Sequence, residues 1–257
     1  MSVRVGVIGA GGRMGTTVCA AVAADPGLAL VAAVDPFAAG QERSGVAVSA
    51  SLDALTAAGV EVAVDFTVAT AGRVTVPWLG QHAIHAVVGT TGFSAADLHA
   101  FRAAFSRSNC LVAANFAIGA VLMMKFAELA APFFESAEII EMHHDAKADA
   151  PSGTAVTTAQ RMAAARTEPW APDPTKHEVY PGARGGEGPS GIRVHAVRMR
   201  GMVASQEVIL GTTGQTLVVR HDTYDRASFM PGVMLACKRI AEHGERFTFG
   251  LEPLLGL

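Results

Sequence analysis

At 257 residues the chain is long enough for one large domain or two modest ones, and with half its residues hydrophobic and only 17% charged it is not a disordered protein. A net charge of −3, mixed along the chain without a basic block or an acidic tail, argues against a nucleic-acid binder. Cys19, Cys110 and Cys237 are scattered and odd in number, which fits a reducing compartment better than a disulfide framework, and no run approaches the roughly 20 apolar residues of a membrane span. The opening MSVRVGVIGAGGRMG breaks into glycines before an apolar segment reaches signal length, so a soluble, cytoplasmic protein is expected.

In chain order, the β-branched run VRVGVI leads into Gly9, Gly12 and Gly15, with Gly11 as an extra, and then into an Ala-rich helical stretch stopped by Pro26 and Gly27. Strand, glycine turn and helix make the first unit of a dinucleotide-binding fold: the turn is tight, the backbone can approach a pyrophosphate, and the helix start receives it. A second strand, LALVAAVDP, ends in Asp35, about twenty residues beyond the last glycine, where an acid can accept hydrogen bonds from a ribose diol. Asp35 would repel a 2′-phosphate, so the cofactor reading is NADH and/or NADPH with a lean to NADH; Arg13 and Arg43 are placed to offset that repulsion.

Buried strands follow at 60–67, 82–92 and 110–120, separated by Ala-rich helical stretches, which gives a βαβ pattern with a parallel sheet. Thr67, Gly89, Thr90, Thr91, Asn115 and Phe116 fall at strand ends, where ligands of such sheets lie. An amphipathic helix over 120–134 leads to EIIEMHHDAKADAPSGTA (138–155). A Pro- and Gly-rich loop spans about 168–191, with Arg184 as a candidate carboxylate contact. Three β segments, GIRVHAVRMRG, ASQEVILGT and QTLVVRHDT, are then expected to pair antiparallel, before a final helix and the tail FTFGLEPLLGL.

The 138–155 stretch concentrates the most chemistry. Its start alternates as a short strand, with Ile139, Glu141 and His143 on one face and Ile140, Met142 and His144 on the other. Lys147 lies in the polar loop that follows, and Ser152 stands where a helix N-cap belongs, before Gly153 and Thr154. Two histidines and a lysine are thus delivered beside the free N–H groups of a helix start, which favours an anionic substrate and a proton transfer. Each feature alone also has a bland reading, as loop histidines or a capped turn. Glu, His and Asp are metal-ligand types too, but neighbouring strand histidines point to opposite faces and no second cluster completes a set, so no metal is expected.

Taken together, GAGGRMG (9–15), DFT (65–67), VVGTTGF (87–93), AANFAIG (113–119), EMHHDAKADAPSGTA (141–155) and HDTYDRASFMPGV (221–233) closely resemble the 4-hydroxy-tetrahydrodipicolinate reductase family, the nicotinamide-dependent reductases of diaminopimelate and lysine biosynthesis. The resemblance implies an α/β fold: a Rossmann-type parallel-sheet dinucleotide-binding domain from 1–117 and 226–257, and a smaller α+β domain with a mixed sheet, 118–225, for substrate binding and assembly into a homotetramer. It implies dinucleotide contacts from Gly9, Ala10, Gly11, Gly12, Arg13, Met14, Asp35, Gly89, Thr90, Thr91, Ala113, Ala114, Asn115 and Phe116, to which the strand-end position adds Thr67. His143 and Lys147 become the proton-donating pair, and His144, Ser152, Gly153 and Thr154 the holders of a small cyclic dicarboxylate. The chain departs from the family at Ser205, where a histidine is usual, and Asp35-Pro36 lacks the arginine found beside the acid in relatives that use NADPH readily. Two rivals stand beside this reading: another Rossmann oxidoreductase acting on a different acid, and a non-enzymatic dinucleotide sensor.

Overall fold

The computed structural model describes residues 2–257. The chain forms two compact units, one comprising residues up to Ile118 together with Arg226–Leu257, the other Gly119–Asp225.

The first unit is built on an eight-stranded sheet. Its strands are β1 (Val3–Ile8), β2 (Leu28–Val34), β3 (Glu42–Arg43), β4 (Val46–Ser49), β5 (Val62–Asp65), β6 (His85–Val88) and β7 (Cys110–Val112), with β13 (Phe247–Phe249) added from the chain's end. The spatial order is β13-β7-β6-β5-β1-β2-β4-β3, and every pairing is parallel except β3 with β4. All four residues of β5 are buried, as expected of a central parallel strand covered on both faces, and this is why VAVD lacks a polar alternation. Helices α1 (Arg13–Ala24), α2 (Asp53–Ala57), α3 (Ala69–Gln81) and α4 (Ala95–Ala104) connect the strands, and α7 (Met230–Arg239) and the short α8 (Glu252–Leu255) return to the unit. Much of the core is strand and helix aliphatics closed by Phe101, Phe105 and Phe247. The small elements at 42–57 and the strand in the FTFGL tail carry too little pattern to be read from sequence, since two- to five-residue elements give no periodicity.

The second unit holds a five-stranded sheet ordered β12-β11-β8-β10-β9, from β8 (Ser136–His143), β9 (Gly186–Glu187), β10 (Arg193–Arg198), β11 (Ala204–Thr212) and β12 (Gln215–Thr223). Antiparallel pairing of three successive segments was the sequence expectation, and it is corrected for one of them. β11 does pair antiparallel with β12, but β10 lies on the far side of β8 and runs parallel to it. Between β8 and β10 lies the helix α6 (Gly153–Ala164), so this pair is joined by a helical crossover of the kind a parallel pair requires. Ile139, Val194, Val208 and Leu210 share one sheet face and form a core with Ala155, Ala159 and Met162 of α6 and with Trp170. The helix α5 (Ile118–Ala130) precedes β8. Of the long loop, residues 186–187 form β9 and Pro189–Gly191 a single 3₁₀ turn.

Candidate active site

In the first unit the strand order reverses at β1, which has β2 on one side and β5 on the other. Ligand crevices of open α/β sheets form at that point, beyond the carboxyl ends of the strands. The glycine turn after β1 divides its tasks. Gly9 takes φ +78°, a left-handed turn conformation. Gly15 is where helix meets turn, and a Cβ there would stand 2.0 Å from the Gly9 carbonyl oxygen. Gly12 is the N-cap of α1 and offers no side-chain acceptor, and no acid follows in the first turn, so the helix start keeps its N–H groups and positive dipole end for an anion. Arg13 is exposed and Met14 half-buried.

Asp35, just past β2, is buried and accepts two backbone hydrogen bonds: Gly11 N–H to Oδ2 and Phe37 N–H to Oδ1, both 2.9 Å. Arg43 is drawn to the same turn, its Nε donating to the Ala10 carbonyl at 3.2 Å while its remaining nitrogens donate to the Glu42 carbonyl and Gln41 Oε1.

The neighbouring strand ends are gathered by Asp65, fully buried at the end of β5. Its Oδ1 accepts from the Thr67 N–H at 2.9 Å, the Thr67 hydroxyl at 2.6 Å and the Thr90 hydroxyl at 3.1 Å, and its Oδ2 from the Thr75 hydroxyl. One carboxylate therefore fixes Thr67 and Thr90 from two adjacent strand ends. Gly89 lies against the Phe66 ring, whose centroid is 5.7 Å from that of Phe116. The Ala113 N–H donates to the Val88 carbonyl, and Asn115 Oδ1 caps the Ala117 N–H at 2.8 Å. Thr91 and Ala114 are exposed.

In the second unit the chemistry centres on Glu141, which is fully buried on the same face of β8 as Ile139 and His143. The parallel register sets Arg198 of β10 opposite His143. Glu141 Oε2 accepts from His143 Nδ1 at 2.6 Å and from an Arg198 nitrogen at 2.9 Å; Oε1 accepts from the other Arg198 terminal nitrogen at 2.8 Å and from the Ser152 N–H at 3.0 Å. Burial alone would raise the Glu141 carboxyl, but Arg198, His143 and the Ser152 N–H together hold it below the ordinary glutamate value. Burial depresses His143 below the ordinary histidine value; the Glu141 bond and charge oppose that, and the cations Lys147 and Arg198 add to it. Lys147 Nζ bonds both oxygens of Asp149, at 2.8 and 2.9 Å, and His144 is exposed past the end of β8.

Ser152 caps α6, its Oγ accepting from the Ala155 N–H at 3.3 Å, and no acid follows in the first turn. Gly153 is exposed with open space where a Cβ would stand, and Thr154 is half-buried. Gln206 of β11, opposite Glu141, donates to Thr158 Oγ1 at 2.8 Å and so anchors α6 over this face of the sheet. Arg184 does not belong here: it is held by Glu138 at 2.5 Å and by Asp173, and Glu138 lies on the other face of β8. Ser205, paired with Asp222, also lies on that other face. Among the described residues no three His, Cys, Asp or Glu side chains gather into a metal-binding cluster.

Comparison with known proteins bears on both units. Residues 3–116 match the family description "Dihydrodipicolinate reductase, N-terminus", and residues 119–255 match "Dihydrodipicolinate reductase, C-terminus". The chain belongs to the dihydrodipicolinate reductase family. A 4-hydroxy-tetrahydrodipicolinate reductase of Nocardia farcinica (strain IFM 10152) is 49% identical, with all of both chains covered. One of Thermobifida fusca (strain YX) is 50% identical over 99% of this chain and 100% of that one. The solved dihydrodipicolinate reductase from Paenisporosarcina sp. TG-14, bound to dipicolinate, superposes with TM-score 0.88 and 37% identity over 98% of this chain and 99% of that one. Members of the dihydrodipicolinate reductase family are NAD(P)H-dependent oxidoreductases, and so is this chain.

Sequence reasoning missed three members of these clusters. Glu141 carried a usable signal, an acid in step with Ala137 and Ile139 on the buried face of an alternating strand, since such a group must find partners. Asp65 carried a weaker one, an acid closing a wholly buried strand. Arg198 carried none, because its place depends on the parallel β8–β10 pairing.

Proposed function

We propose that this chain reduces 4-hydroxy-tetrahydrodipicolinate to tetrahydrodipicolinate and water with NAD(P)H, in diaminopimelate and lysine biosynthesis, and that its proton donor is His143. The observation that carries the reading is a single hydrogen-bond network in which Glu141 joins His143, Arg198 and the start of α6, inside a chain half identical to named reductases.

The residues of the glycine turn fit a dinucleotide: Gly9 makes the turn, Gly15 lets the helix close on it, and the start of α1, with no side-chain cap, would receive an anion. When bound, the dinucleotide supplies a hydride. Gly9 to Met14 would hold its pyrophosphate and Asp35 a ribose diol, with Thr67, Gly89 to Thr91 and Ala113 to Phe116 along the strand ends. NADH is the preferred form in this reading. Asp35 is a buried acid followed in the chain by Pro36 rather than an arginine, and the guanidinium of Arg43 is already committed to protein acceptors.

Gly153 and Thr154 at the start of α6, with His144 and Lys147, would bind the carboxylates of the cyclic substrate. Lys147 would exchange its ion pair with Asp149 for one with the substrate. Loss of the 4-hydroxyl as water leaves a conjugated imine. After hydride addition to the ring, His143 gives its proton to the enamine carbon, completing the uptake of one hydride and one proton. Lys147 stabilises the negative charge that develops on the way.

A cytoplasmic homotetramer belongs to the same reading. No helix among the described residues is long and apolar enough to cross a membrane, and the three cysteines are buried free thiols. The sheet face bearing Ile140, Met142, Ile209 and the half-exposed Val218 is suited to burial against other copies, which light scattering would read directly. The test of the activity is oxidation of NADH and of NADPH by purified protein with substrate generated in place by its synthase. Rapid, synthase-dependent oxidation is expected, faster with NADH; protein that binds a dinucleotide without turning over would leave the sensor reading in its place.

A further inference from the structure

We propose that Glu141 is a positioning residue of the reaction, holding one proton of the His143 ring on Nδ1 so that Nε2 is the atom that takes up a second proton, giving the imidazolium, and passes it to the substrate. The inference rests on the reading above that His143 is the proton donor. Its basis is geometric. His143 Nδ1 lies 2.6 Å from Glu141 Oε2, and an ionised carboxylate only accepts, so the ring nitrogen facing it must carry hydrogen. Nδ1 is thereby occupied, and Nε2 is left as the titrating atom. The same carboxylate takes the Ser152 N–H, so the ring that delivers the proton and the helix start that holds the substrate are fixed to one buried group. This is the logic of a catalytic base oriented by a third residue.

Arg198 has the supporting task. A lone buried carboxylate would take up a proton rather than stay charged. The guanidinium of Arg198, bonded to both Glu141 oxygens, keeps it an acceptor. The charged groups facing His143 are Glu141 from its own strand, Arg198 from β10 and Lys147, paired with Asp149, from the following loop; its β11 neighbour across the register is the uncharged Ala204. Of these groups Glu141 is the anion bonded to the ring, and its charge opposes those of Lys147 and Arg198 there.

Two measurements test this. Nitrogen NMR of histidine-labelled wild-type protein above the titration of His143 should show the neutral ring protonated at Nδ1; a ring protonated at Nε2 overturns the proposal. In steady-state kinetics, Glu141→Gln should lower kcat on the order of tenfold or more with a much smaller change in KM. The alkaline limb of its kcat profile should move to lower pH, because the imidazolium loses its carboxylate partner, and Glu141→Asp should restore part of both. A Glu141→Gln enzyme with the wild-type kcat and an unmoved limb also overturns it. If that variant does not fold, the tautomer of the wild-type ring decides. Absence of turnover in the wild type would instead defeat the reductase reading, and the tautomer would still report on Glu141.

Discussion

Asp35 Oδ2 accepts the backbone N–H of Gly11 at 2.9 Å, so the acid after the second strand and the glycine turn after the first are one hydrogen-bonded unit. The carboxylate that would read the ribose is braced by the loop that would hold the pyrophosphate. Charge-assisted hydrogen bonds contribute about 1.5–3 kcal/mol each. Asp35→Ala should therefore raise the KM for NADH on the order of 10- to 100-fold, and that for NADPH less, since removing the acid also removes its repulsion of a 2′-phosphate. Initial rates with both cofactors check this; parallel rises would mean that Asp35 only supports the turn.

Asp65 makes a different kind of prediction, about stability. Asp65→Ala would leave the Thr67 N–H and the hydroxyls of Thr67, Thr75 and Thr90 without their shared acceptor. Urea unfolding should show a loss of about 3 kcal/mol or more, with Thr75→Val costing about 1–3 kcal/mol. A loss under about 1 kcal/mol for Asp65→Ala would show that the threonines find other partners.

These two acids also mark what the sequence makes legible. Asp35 could be read because the dinucleotide-binding pattern is local: glycines, helix, strand and acid follow within one βαβ unit. The Ser152 cap and the alternation of β8 are local as well, and His143, Ser152, Gly153 and Thr154 were accessible from them. Asp65 joins residues of two strands and a helix, and Glu141 meets Arg198 only because β10 crosses to the far side of β8. Strand order is a non-local property, and three adjacent β segments give no sign that the first is parallel to an earlier strand. The position of β13 beside β7 is hidden for the same reason.

Binding should change the protonation of His143. In the free protein burial, Lys147 and Arg198 hold it below 6.5 despite Glu141. A dicarboxylate bound beside it adds negative charge and raises it again. Between the depressed and the raised value the complex carries a proton that the free protein lacks, so binding takes up protons, from below pH 6.5 upward, and uptake fades at either extreme. Calorimetry with dipicolinate in two buffers of different ionisation enthalpy should show net uptake that disappears in His143→Asn. Proton release, or uptake unchanged in the variant, would assign the linkage to another group.

The most direct test compares wild type with His143→Ala in the synthase-coupled oxidation of NADH and NADPH, with dipicolinate affinity measured alongside. The account predicts rapid substrate-dependent oxidation by the wild type, a fall in kcat on the order of 10²- to 10⁴-fold in the variant, and dipicolinate binding that survives because α6 and its cap are untouched. A variant that turns over at the wild-type rate, or a wild type that binds dinucleotide and dipicolinate and oxidises neither cofactor, would contradict it.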